Sequence, residues 1–163
     1  MIHTNVIYEQ VIEKICRTVI LLGKKLVIKL HPSPVEINIT ELAKKINPEI
    51  SIIQSGSIFP LIESSLVVIV IDISTVIVES QILQIPVISI SVKDYGFKNP
   101  TVLDSCIVTN GDDLEKLLSK DLYNDDYEKK VVSMGSEYVN KYFSSQGHAS
   151  EKLLDFLEKL SIK

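Results

Sequence analysis

The stretch that most constrains this chain is Leu66-Val-Val-Ile-Val-Ile-Asp72-Ile-Ser74-Thr75-Val-Ile-Val-Glu79. It opens with an unbroken apolar run, turns at Asp72 and Ser74-Thr75, and continues with helical spacing. An apolar run of that length reads as a strand buried on both faces, the habit of parallel sheets between helix layers. Ser74 and Thr75 are good N-cap types, so a helix is expected to open there. Its first N–H groups lack intrahelical partners, and with the helix dipole they form an anion site at the carboxyl end of a strand. Glu79 falls about one turn further on, given ~3.6 residues per turn. A phosphate at the helix start and a carboxylate one turn in would suit a nucleotide.

The remainder of the chain alternates in the same way. Asn5–Leu22 places Val6, Ile7, Val11, Ile12, Ile15, Val19 and Leu22 at spacings of three and four, an amphipathic helix that Gly23 ends. Lys25–Leu30 reads as a strand stopped by His31-Pro32-Ser33-Pro34. A helix follows over Ile39–Ile46, with Asn38 or Thr40 as cap, then a strand over Ile50–Ile53 and the turn Gln54-Ser55-Gly56-Ser57. Ile58–Ser64 is a short helix that tolerates Pro60 in its first turn. After the Leu66–Ile71 strand and the Ser74–Leu83 helix come a strand at Pro86–Ile90, a loop at Ser91–Pro100 and a strand at Cys106–Thr109. A helix from Gly111-Asp-Asp113 to about Lys120 and two tail helices, Asp125–Phe143 and Ala149–Leu160, complete the chain.

This order predicts an α/β fold: a doubly wound parallel sheet, Rossmann-like, with C-terminal helices, in one domain over residues 1–163. Ligands of such sheets sit beyond the carboxyl ends of the strands. The polar residues gather there: His31 after one strand, Gln54–Ser57 after the next, Asp72–Thr75 after the third.

Composition narrows the function classes. A 45% hydrophobic and 23% charged chain of 163 residues can bury a substantial core. A net charge of −4 disfavours nucleic acid as a partner. Cys16 and Cys106 are too few for a disulfide framework and point to a reducing, cytoplasmic setting. No apolar run reaches the ~20 residues of a membrane span. Peripheral association with the inner face of a membrane remains compatible. No motif calls for a metal or a cofactor. Asp112, Asp113, Asp125 and Asp126 read as helix-start acids, and His3 and His148 as surface residues. Capping by itself accounts for Ser74 and Thr75, and a solvated helix face for Glu79. Lys29 shares a strand face with His31, as a snorkelling side chain or as support for a phosphate.

Three segments carry a resemblance: Lys29-Leu30-His31-Pro32, Asp72 to Glu79, and Ile85-Pro86-Val87-Ile88, with a weaker one from Tyr142-Phe143 to Glu151. The chain resembles the C-terminal, donor-binding half of GT-B glycosyltransferases of the capsule and teichoic-acid type. That group includes polysialyltransferases and CDP-glycerol glycerophosphotransferases. The resemblance implies that His31 faces the donor phosphates and stabilises the departing nucleotide, with Pro32 fixing its turn. It implies that Ser74 and Thr75 donate to the same phosphates and that Glu79 accepts from the ribose. Ser55, Gly56 and Ser57 fall where the base lies, by position rather than by motif. The partner so implied is a nucleotide-activated sugar or CDP-alcohol.

GT-B enzymes have two such domains, with acceptor site and candidate bases in the N-terminal one, and this chain has one. It is therefore expected to be a piece of a larger transferase, a subunit of a split enzyme, or a free-standing module. Alone it would bind a donor without transferring anything. Two further readings stay open: half of a UDP-N-acetylglucosamine 2-epimerase-like enzyme, and a non-catalytic nucleotide-binding or interaction module.

Overall fold

The computed structural model describes residues 2–31, 33, 38–94, 101–121, 124–143 and 145–161. Pro32 and residues 95–100 of the expected Ser91–Pro100 loop lie outside the described residues.

The chain opens with α1 (Ile2–Leu21). Ile12, Cys16 and Val19 lie along one buried stripe of this helix, at three- and four-residue spacing. Gly23 ends it at φ +65°, where only glycine is unstrained. The Gly23 and Lys24 N–H groups then close onto the Ile20 and Val19 carbonyls, at 2.9 and 3.0 Å, in a Schellman turn.

β1 (Val27–Lys29) leads to α2 (Ile39–Ile46), which Asn38 caps by accepting from the Glu41 N–H at 3.1 Å. The Asn38 amide donates back to the Glu41 carboxylate at 2.9 Å, so the start is closed from both sides. β2 (Ser51–Ile53) and the short α3 (Phe59–Glu63), with Pro60 in its first turn, precede β3 (Val68–Ile71). Then come α4 (Val76–Ile82), β4 (Val87–Ile90), a 3-10 turn at Val102–Ser105 and β5 (Ile107–Thr109). α5 (Leu114–Lys116) runs into a π-helical stretch at Leu117–Asp121, within the helix expected from Gly111 to Lys120. α6 (Asp125–Tyr142) and α7 (Ala149–Ser161) end the chain.

The fold is α/β with parallel strands, but the strands form two small sheets: β1-β2 and β3-β4-β5. Among the described residues no backbone hydrogen bond joins β1 to β3. α1 spans the division. Its Val19 joins Ile88, Ile90, Leu114 and Leu117 over the larger sheet, and its Ile12 and Cys16 join Ala43 and Ile50 over the smaller one. The opposite face of the larger sheet packs Val70, Val87 and Cys106 against Ile77 of α4. Helices thus cover both faces of the three-stranded sheet.

β4, not β3, is the strand buried throughout. Only Val70 of β3 is buried, and Leu66, at the head of the expected strand, is 71% exposed. The apolar run from Leu66 is therefore a strand on the rim of a division, not one closed in on both sides.

α6 lies against α4 through Gly135, where an added Cβ would meet Gln81 Cγ at 2.7 Å. The Gln81 amide also reaches past the helix to donate to the Ser105 carbonyl and hydroxyl, at 3.0 and 2.7 Å. α7 leaves Leu153, Leu154, Phe156, Leu157 and Leu160 between 50 and 60% exposed along one apolar face. No described helix is long and apolar enough to cross a membrane.

The two thiols are buried, and burial raises both from the ordinary cysteine range. For Cys106, desolvation with the added repulsion of Asp104 pushes the value up to about 12. Both cysteines should therefore resist Ellman's reagent at pH 7–8 in the folded protein and react stoichiometrically once unfolded. Fast labelling of either under native conditions would contradict this packing.

Candidate functional site

β1 and β3 both line a groove of about 1180 Å³. Its lining is mostly Ile, Leu and Val from these strands and from α1. His31, the second residue after β1, and Ser74, the third after β3, both lie on its wall.

His31 is exposed, and its Nδ1 accepts from the Ser33 N–H at 3.1 Å. That bond places the proton of the neutral ring on Nε2, which becomes the free donor. Lys29 lines the groove as well. Its Nζ donates to the Leu30 and Gln54 carbonyls at 3.3 and 2.9 Å, tying the end of β1 to the turn after β2.

Ser74, half-buried, supplies the oxygen that caps α4, accepting from the Val76 N–H at 3.3 Å. Thr75 occupies the residue before the helix but makes no side-chain cap bond, and it is exposed. Glu79 is half-buried, and its Oε2 is sealed from solvent with no hydrogen-bond partner among the described residues. Thr75 and Glu79 are not on the groove wall. Ser55, Gly56 and Ser57 are exposed and also stand off that wall, while Gly56 turns the chain at φ +86°. Ser57 Oγ accepts from the Phe59 N–H at 3.3 Å, at the start of α3. Of the site residues expected from the sequence, the structure brings His31 and Ser74 onto one surface, leaves Ser55, Gly56, Ser57, Thr75 and Glu79 off it, and does not describe Pro32.

Asp72 holds this end of the fold together. It is 4% exposed and sits at φ +62°, a left-handed conformation that aspartate tolerates better than most side chains. Its Oδ1 accepts from the Val92 and Lys93 N–H groups at 2.7 and 2.9 Å. Its Oδ2 accepts a hydrogen bond from the Tyr8 hydroxyl. Its backbone oxygen accepts from Ser89 Oγ at 2.9 Å, and its N–H donates to the Ile90 carbonyl at 2.9 Å. One residue thereby fixes the exits of β3 and β4 and clips α1 to them. Tyr8 lines the groove as well, with Lys93 Nζ 5.6 Å from its ring centroid.

Sequence reasoning used Asp72 only as a turn and gave Tyr8 no role. An acid closing an apolar strand was the available signal for Asp72. Nothing in the sequence marked a partner 64 residues upstream.

Elsewhere Asp112 and Asp113 precede α5, but neither carboxylate caps it. Asp112 pairs with Lys14 at 2.8 Å, and this bond holds its carboxyl below the usual range. The Asp113 carboxylate accepts from the Thr109 hydroxyl. His148 pairs with Glu151 on the surface at 2.9 Å. Among the described residues no three His, Cys, Asp or Glu side chains converge as metal ligands.

Comparison with protein-family models, curated proteins and solved structures returns no match to this chain.

Proposed function

We propose that this chain is the donor-binding half of a transferase of the GT-B type, holding a nucleotide-activated sugar or CDP-alcohol for surface polysaccharide synthesis. The observation that carries the reading is that His31 and Ser74, each just past the end of a parallel strand, share one groove. Nε2 of His31 and the Ser74 hydroxyl are hydrogen-bond donors suited to a diphosphate or monophosphate leaving group. Thr75, exposed beside Ser74 but off the groove wall, would add its hydroxyl where the ligand extends past the groove. The unpartnered oxygen of Glu79 offers an acceptor to ribose hydroxyls once the side chain turns outward. Ser55, Gly56 and Ser57 form an exposed turn for the base.

In this reading the two small sheets belong to one doubly wound arrangement, in the strand order β2-β1-β3-β4-β5. Acceptor and general base come from another domain or subunit. The uncovered apolar face of α7 fits a chain that works against such a neighbour. Transfer at the cytoplasmic face of a membrane would need no span in this chain.

Thermal unfolding with CMP, CDP, UDP and UDP-sugars tests the reading. A true ligand at 100 times its Kd adds about 2.7 kcal/mol, which for a domain of this size raises Tm by roughly 5–10 °C. His31→Ala should remove most of that rise while leaving the ligand-free Tm nearly unchanged. Ser74→Ala should remove it too, on top of a ligand-free Tm already lowered by loss of the cap on α4, worth about 0.5–2 kcal/mol. A flat response to all these nucleotides at millimolar concentration would refute the proposal.

A further inference from the structure

The hydrogen-bond pattern shows what the two groove walls present to each other. On β1 the Leu30 N–H donates to the Ile53 carbonyl, and the Leu26 carbonyl accepts from Ser51. Even-numbered residues of β1 therefore face β2, and the backbone groups of Val27 and Lys29 face the groove. On β3 the Val68 N–H donates to Pro86 and the Asp72 N–H to Ile90. Even-numbered residues there face β4, and Ile69 and Ile71 turn their N–H and C=O groups to the groove. Two open strand edges thus line one apolar space, with no backbone bond between them among the described residues.

Open edges are costly to leave unpaired, and a hydrocarbon-lined gap offers them nothing but water. The connection from β2 to β3 contains α3, the kind of helical crossover that parallel neighbours require. With such a crossover β3 would run parallel to β1, which would make the two edges complementary in direction as well as in chemistry. Closure would give a single five-stranded parallel sheet.

We infer that the division is a closable seam: β1 and β3 pair edge to edge, and a phosphate-bearing ligand held between His31 and Ser74 drives the pairing. The coupling follows from position. His31 ends the β1 wall and Ser74 follows the β3 wall, so a ligand touching both residues binds better when the walls approach. A ligand that binds only the closed form, at 100 times its Kd, raises the closed-to-open ratio about 100-fold. This inference rests on the donor-binding reading for its ligand, though not for its seam.

Amide exchange by NMR, with CDP and UDP as probes, reads the seam residue by residue. The expected result is about 100-fold slower exchange at Val27, Lys29, Ile69 and Ile71 under saturating nucleotide. Ile28, Leu30, Val68 and Val70, bonded already, should stay as they were. A nucleotide that raises Tm yet leaves those four amides fast overturns the seam and spares the donor reading. So does slow exchange of the four before any ligand is added, which would mean a sheet already closed. Protection that grows with protein concentration alongside a dimer in light scattering would mean that the edges pair with a second copy, and it also overturns the inference. If no nucleotide binds, the donor reading and the ligand coupling fall together, and disulfide trapping judges the seam separately. V27C/I69C or K29C/I69C should then cross-link under mild oxidation, because paired strands bring Cα atoms within disulfide reach. Failure of both pairs would remove the seam.

Discussion

Asp72→Ala should lose about 3–5 kcal/mol of folding stability, a large share of the ~5–15 kcal/mol that a domain has in total. The carboxylate is buried and receives the Val92, Lys93 and Tyr8 donors, so its removal leaves three polar groups to find other partners. Each hydrogen bond to a charged acceptor contributes about 1.5–3 kcal/mol, and an orphaned buried donor costs about 1–3 kcal/mol. Alanine at φ +62° adds strain that aspartate bears more easily. Asp72→Asn keeps an acceptor for the two backbone donors and tolerates the same backbone, so it should lose less than Ala. Tyr8→Phe, which removes one donor, should cost about 1–3 kcal/mol. Urea titrations with matched m-values rank the three variants. An Asp72→Ala protein within 1 kcal/mol of wild type would show that the exits of β3 and β4 are held by something else.

Ile88→Ala should cost about 3–4 kcal/mol, and Leu66→Ala less than about 0.5. Ile88 is fully buried at the centre of the larger sheet, against Val19, Leu114 and Leu117, and truncation leaves a cavity its neighbours cannot fill. Leu66 is 71% exposed despite heading the most apolar run in the chain. The pair of variants separates hydrophobicity from burial. Equal losses in chemical denaturation would place the core at β3 instead of β4.

That contrast also marks how far the sequence could be read. Helices with caps were legible: Gly23 stops α1 and Asn38 starts α2, each through local chemistry a few residues long, while the Asn124 side chain that starts α6 is a cap of the same kind that the sequence reading did not single out. The centre of the sheet was not. β4 contains Ser89, a polar residue that looks unsuited to a core until its hydroxyl is seen donating to the Asp72 carbonyl. The Leu66 run looks like the buried strand because apolarity cannot distinguish a strand between two neighbours from one beside a cleft. α4 begins two residues later than expected. Ser74 spends its oxygen on the Val76 N–H, and Thr75 serves as the residue before the helix. For the site, strand ends were readable, and His31 and Ser74 do share a wall. Glu79 was placed by helical spacing and by the resemblance, and spacing fixes a turn but not which surface that turn presents. The Tyr8–Asp72 clip depends on a contact between the first helix and the third strand, and no local pattern encodes it.

The near-touching of α4 and α6 has its own consequence. Because Gly135 admits no side chain beside Gln81, the two helices are spaced by backbone and one amide, and that amide is anchored to Ser105. A methyl group there would act as a wedge, prising α6 from its neighbour or pulling Gln81 off its anchor. Position 135 therefore works as a gauge for the thickness of this side of the molecule.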